Sequence, residues 1–243
     1  TASSADPASA PAIVAPQRID GLLPIRVDTA GGRVLMDLPA PGADGVMARV
    51  IHHTALKTGV GSAVTGQDRA QIGPTQILVF RKVGKKIVAE FENVQYRAPA
   101  GGADEQAAAR DAFLTSTVWA GEPVETLPGG GAVVDLAGFL TRDAHGLVEG
   151  LRGAGQGTLR PVADLTLVDT AASRAFPDNV ELEARLTFAV DQPGGEVSRI
   201  APDARLITFT VRHSFIRLPD DGYQARRFDP RTGAMNSLFY DFS

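Results

Sequence analysis

The sequence predicts an α+β fold: β-rich, with a mostly antiparallel sheet, hairpins and a few short helices. Three observations carry this reading. Residues 180–190 and 204–218 alternate apolar and polar side chains with period two, the pattern of strands with one face in the core. "LPIRVDTAGGRVLMDL" and "QILVFRKVGKKIVAEFE" each place two apolar runs on either side of a glycine-bearing turn, which marks hairpins. The regular strand–helix–strand alternation of a parallel sheet is missing.

The elements follow in order. Residues 1–19 read as a flexible lead, since "TASSADPASAPAIVAP" offers few groups able to anchor in a core. Its Ala, Ser and Pro content looks like the start of a mature chain after signal-peptide removal, so a periplasmic or secreted location is expected. Residues 20–217 form the β-rich domain. Within it the first hairpin turns at Ala30-Gly31-Gly32, and "ARVIHHTAL" reads as the next strand. Ile77 to Phe80 and Ile87 to Phe91 then flank a turn at Lys82-Val83-Gly84-Lys85.

"ADEQAAARDAFL" is an alanine-rich helix with Asp104 and Glu105 near its start, where they suit the helix dipole. Residues 128–131 form a loop. "VDLAGFLTRDAHGLVEGL" offers Asp135 and Asp143 as N-caps of two short helices. In the strand at 180–190, Val180, Leu182, Ala184, Leu186, Phe188 and Val190 face the core, whereas Glu181, Glu183, Arg185 and Thr187 face water. Phe188→Ala is therefore expected to be costly and Glu183→Ala nearly neutral. In the next strand Ile207, Phe209, Val211 and Phe215 share one face, and the turn "DQPGGEVSRIAPD" makes the two strands an antiparallel pair.

The chain has 243 residues, enough for a substantial core. A net charge of -4 carries no basic footprint for nucleic acid. No run of about 18 apolar residues calls for a membrane-spanning helix. Cysteine is absent, which excludes disulfides, thiolate zinc sites and a cysteine nucleophile. His52 and His53 are adjacent and on a strand face opposite ways. His213 lies on the apolar face of its strand and reads as a hydrogen-bonded core residue. There is no His-Glu-x-x-His and no Gly-x-Ser-x-Gly. "GVGSAVTG" and "LPGGGAVVDL" fit neither the phosphate loop nor the dinucleotide fingerprint, and read as flexible loops. The residues thus point to no catalytic site, no metal site and no cofactor in this chain.

Residues 218–243, "LPDDGYQARRFDPRTGAMNSLFYDFS", crowd arginines, aspartates and aromatics together. One reading is a salt-bridged loop that fixes only itself. The other is an interface in which Arg226, Arg227, Asp229 and Arg231 contact another domain or chain.

A family resemblance bears on that choice. "FPDNVELEARLTF" followed by "VRHSFIRLPDDGYQARRFDPRTG" resembles the N-terminal region of large bacterial zinc-dependent metallopeptidases. "GLLPIRVDTAGGRVLMDL", "GQDR", "FENVQYRA" and "VVDLAGFLTRD" are similar to earlier pieces of the same region. Together they cover residues 20–243. Ala225 stands where the family has Pro, and Gly233-Ala234-Met235 lacks the family's two aromatics. The resemblance implies a metzincin-like peptidase domain beyond this segment, bearing His-Glu-x-x-His-x-x-Gly-x-x-His and its zinc. Residues 218–243 would link to that domain, on the same polypeptide or as a cleaved partner chain. The expected role is a non-catalytic scaffold or cover for it, acting on a peptide or protein substrate. The alternatives are an inhibitory pro-segment, with a carboxylate such as Asp229 as an oxygen ligand to zinc, and a stand-alone periplasmic binding or structural domain.

Overall fold

The computed structural model describes residues 16–220, 222, 224, 229, 231 and 239–243. Its first ladder begins inside the stretch assigned to the flexible lead. β1 (Gln17–Ile19) pairs antiparallel with β2 (Ile25–Asp28), and charge explains why. Arg18 on β1 and Arg26 on β2 both reach the buried carboxylate of Asp37. Asp37 belongs to β3 (Arg33–Leu38), which closes the expected hairpin with β2. The turn between them is held by Asp28, whose carboxylate accepts the Gly31 N–H (2.7 Å) and the Arg33 guanidinium (2.9 Å).

β4 (Val46–Leu56) and β5 (Ile72–Val83) are long, and β5 turns directly into β6 (Lys86–Phe91). That turn is two residues, Gly84-Lys85, shorter than the sequence suggests; Val83 pairs with Lys86, and Gly84 takes φ 59, as a tight hairpin turn requires. After β7 (Tyr96–Arg97), α1 (Ala103–Ala112) starts where the Glu105 carboxylate accepts the Gly102 N–H (2.7 Å). β8 (Ser116–Gly121), β9 (Glu125–Thr126) and β10 (Ala132–Asp135) follow, with a single 3₁₀ turn at Pro128–Gly130 where a loop was expected.

α2 (Ala137–Leu140) and α3 (Leu147–Gly153) match the two short helices. The N-cap positions are Leu136 and Gly146 and not the two aspartates, which bond near the helix starts from just upstream. Asp135 accepts the Ala137 N–H (2.9 Å), and Asp143 accepts those of Gly146, Leu147 and Val148 (3.1, 2.8 and 2.9 Å). These satisfy donors that a helix N-terminus leaves without partners. The remaining elements are β11 (Thr158–Pro161), β12 (Leu167–Ala175), β13 (Asn179–Asp191), α4 (Gly195–Ile200), β14 (Leu206–Ile216) and β15 (Tyr240–Asp241).

One sheet runs β1-β2-β3-β10-β9. The larger runs β11-β13-β14-β4-β5-β6-β8, with β12 also on β13, and both are antiparallel throughout. β15 and β7 form a separate parallel pair. The fold is thus β-rich α+β, mostly antiparallel, as the period-two pattern predicts. Side chains from both large sheets, among them Ile25, Met36, Phe80 and Phe188, join Phe139 of α2 and Leu151 of α3 in one core. Trp119 of β8 lies against two glycines: a Cβ on Gly121 would come within 2.6 Å of its ring, and one on Gly138 within 3.4 Å of the indole nitrogen.

β13 carries two corrections. Its even-numbered residues are buried as expected, but two residues of the opposite face are buried as well: Thr187, whose hydroxyl donates to the Leu165 carbonyl (2.8 Å), and Glu183, only 1% exposed. β13 is an interior strand, and two cations close over that carboxylate: Lys57 Nζ at 2.7 Å and the Arg212 guanidinium at 2.7 Å. Burial alone would raise the Glu183 carboxyl; hydrogen bonds from Lys57 and Arg212 outweigh it and hold the group below its ordinary value.

Two substitutions test this arrangement by denaturant unfolding. Phe188→Ala should cost about 3–5 kcal/mol, as cavity-forming changes do. Glu183→Ala should cost about 1–3 kcal/mol, the loss of charge-assisted hydrogen bonds, rather than the near-zero of a surface site. A Glu183→Ala cost within experimental error of zero would return that face of β13 to solvent.

Candidate functional site

β4 and β14 are neighbours, with His213 opposite Thr54 and Phe215 opposite His52. His52 and His213 therefore sit diagonally on the same buried face. His52 Nε2 lies 3.1 Å from His213 Nδ1, so one ring donates and the other accepts. Phe139 of α2 and Phe215 pack edge-on or tilted against His52, and Phe91 lies beside it. Arg142, in the bend after α2, holds its guanidinium 4.5 Å above the Phe139 ring. His145 packs nearby, its Nδ1 3.1 Å from the Thr54 hydroxyl. Gly73 of β5 makes that contact possible: a Cβ there would fall 2.3 Å from the Thr54 hydroxyl oxygen.

The electrostatics are those of a dry polar cluster. Burial, with His213 and Arg142 adding to it, pushes His52 down to about 2. Burial and Arg142 push His213 down to about 3, against a Leu140 carbonyl that favours the charged ring. Burial also lowers His145 and brings Arg142 down to about 10, so the guanidinium stays charged at neutral pH. Among the described residues, His52 Nδ1, His213 Nε2, and Nε and Nη2 of Arg142 have no hydrogen-bond partner. His213 is the hydrogen-bonded core residue the sequence implies. Its partner, His52, was not foreseen, because the pairing of β4 with β14 brings together positions 161 residues apart.

The sequence-derived contact residues fall elsewhere. Arg226 and Arg227 lie outside the described residues. Asp229 and Arg231 form an exposed ion pair, Nη2 to Oδ2 at 2.6 Å, and hydrogen bonds from Arg231 hold the Asp229 carboxyl below its ordinary value. The end of the same segment folds back on the chain. Tyr240 N–H donates to the Gln95 carbonyl (2.6 Å) and Phe242 N–H to that of Arg97 (3.0 Å). Tyr96 stacks between Tyr240 (4.8 Å) and Phe113 (4.3 Å), Phe242 tilts against Phe113, and the Arg97 guanidinium lies 4.0 Å over Phe239. This aromatic ledge is open: Phe239, Tyr240 and Phe242 remain exposed, and Leu114 beside Phe113 is 90% exposed.

Among the described residues, no three of His, Asp and Glu converge to hold a metal ion, and no helix is long and apolar enough to cross a membrane. Residues 70–243 match the family described as Domain of unknown function (DUF5117). Neither the curated proteins nor the solved structures yield a match to the chain.

The two buried imidazoles set an acid limit on stability. Unfolding exposes them, and each then takes up a proton near pH 6.5 rather than near 2 or 3. Between those values the unfolded chain binds more protons, so the stabilisation is full above about pH 6.5 and is lost as pH falls toward the buried values. The unfolding free energy should drop by about 2–4 kcal/mol between pH 7 and pH 5. His52→Leu combined with His213→Leu should flatten that slope; an unchanged slope would assign the titration to other groups.

Proposed function

The chain belongs to the family described as Domain of unknown function (DUF5117), and from that premise we propose that it is a non-catalytic module that docks on and scaffolds the catalytic domain of a zinc-dependent metallopeptidase. The observation that carries this reading is the open aromatic ledge of Tyr96, Phe113, Phe239, Tyr240 and Phe242, with Leu114 at its rim. Stacked rings left half in water by their own fold are the composition of a protein contact. Arg97 over Phe239 adds the stacked arginine common at such contacts. The ordered motifs across residues 20–243 support the choice of partner, since they resemble the region next to a peptidase domain. Zinc belongs to that partner in this reading.

Arg226, Arg227, Asp229 and Arg231 are the further candidate contacts to that partner in this reading. The pro-segment alternative would use a carboxylate such as Asp229 as a zinc ligand, and that carboxylate would have to share its oxygens with the backbone N–H and guanidinium of Arg231. Scaffolding is therefore preferred.

The experiment measures association between this chain and a separately produced domain bearing His-Glu-x-x-His. Phe239→Ala with Phe242→Ala should weaken binding by about 2 kcal/mol or more, roughly thirtyfold. Arg226→Ala with Arg231→Ala should weaken it less, as rim charges do. Thermal unfolding of the isolated chain is the control. Intact association with a lower melting temperature would show that the ledge serves only its own fold.

A further inference from the structure

β14 is only partly flanked. Its ladder with β13 includes the bond from Val190 N–H to the Arg205 carbonyl (2.8 Å). That register points the backbone groups of odd-numbered Ile207 and Phe209 at β13. Those of Leu206, Thr208 and Thr210 point to the other edge. β4 covers that edge only from Val211 onward. Lys57 N–H still reaches the Thr210 carbonyl (2.9 Å), and Thr210 N–H reaches the Thr58 hydroxyl (2.8 Å). The chain then turns away through Gly59 and Val60. Leu206 N–H is taken by the Asp203 carbonyl. Among the described residues, the N–H and C=O of Thr208 and the C=O of Leu206 have no strand partner on that edge, in the line that β4 has vacated.

A groove of about 430 Å³ lies along this edge, and its apolar lining includes Val60, Val197 and Ile200 of α4, and Ile207 and Phe209 of β14. We propose that this groove is a strand-acceptor site that binds a short extended peptide segment, with apolar side chains on either side of a small polar one. The pleat decides the pattern. A residue opposite Thr208 would exchange two main-chain hydrogen bonds with it and place its own side chain beside Thr208, away from the core. Its two neighbours would then point at Ile207, Phe209 and Ile200, the apolar floor.

Charge and size narrow the occupant further. The ionic side chains near the rim are mutually paired, Arg205 with Asp203 and Arg199 with Glu196, so an uncharged segment suits the site. Eleven residues line the groove, against the roughly 20–30 a side of a stable interface between folded proteins. A groove of that size suits a single strand. The site is separate from the aromatic ledge and stands without the peptidase assignment.

The probe is the capped peptide acetyl-Gln-Val-Thr-Val-Gln-amide, titrated into the whole chain and followed by backbone amide NMR. Shifts should move at Leu206, Thr208, Val60 and Ile200. Methylating the backbone nitrogen of the central threonine should weaken binding about tenfold or more, because the bond to the Thr208 carbonyl is lost. Ile200→Glu, at a partly exposed position, should weaken it by a similar factor with the amide spectrum of β13 unchanged. Three results would overturn the proposal: shifts confined to the aromatic ledge or another edge, equal binding of the methylated peptide, or concentration-dependent self-association through β14 without peptide.

Discussion

Eleven consecutive residue pairs join β13 to β14, from Asn179 opposite Ile216 to Ala189 opposite Leu206, and the larger sheet depends on that register. Side chains alternate with period two, so a slip of β13 by one residue against β14 would exchange the faces of β13. Leu182, Leu186 and Phe188 would leave the core, and Glu181, Arg185 and Asp191 would enter it. The apolar alternation on both strands forbids this, and each further strand inherits the register. β4 aligns on β14, β5 on β4, and β11 and β12 on the other side of β13.

Polar side chains reinforce this ladder from both sides. On the core face, His52 and His213 join β4 to β14 through one imidazole hydrogen bond. On the opposite face, Glu183 of β13 gathers Arg212 of β14 and Lys57 just past the end of β4. Neither link adds much to stability over a well-packed apolar substitute. What each adds is a large cost to misalignment, since a shifted strand would strand a buried imidazole or carboxylate without its partner. The unpartnered nitrogens of Arg142 lie over the same region, so α2 and the bend after it bring a charge close to the two rings.

The strands were legible because periodicity is a local signal. The alternation at Val180 through Val190, the hairpin at Gly84 and the roles of Asp135 and Asp143 near helix starts can each be read within a few residues. What escaped the sequence was set by partners far along the chain. Glu183 looks like a surface residue until β14 and Lys57 arrive beside it. His52 looks isolated until β4 lies against β14. The short β1 has no pattern of its own and is recruited by the Asp37 carboxylate on β3. In the closing segment the residues themselves offered only composition: its density of arginine and aromatic residues marked it as unusual. That Tyr240 and Phe242 bond to the carbonyls of Gln95 and Arg97 follows from a parallel pairing across more than a hundred residues, which no local rule announces.

Trp119 is the chain's single tryptophan, and its seat against Gly121 and Gly138 gives it an optical consequence. The indole of a β8 residue touches the helix that carries Phe139, so its emission wavelength registers whether α2 is seated on the sheet or lifted into water. No second indole blurs that signal. The protein thus contains a native fluorophore placed at the joint between α2 and the larger sheet. Movement of that helix is observable in the unlabelled chain, separately from changes at the aromatic ledge, where tyrosines and phenylalanines absorb and emit at shorter wavelengths.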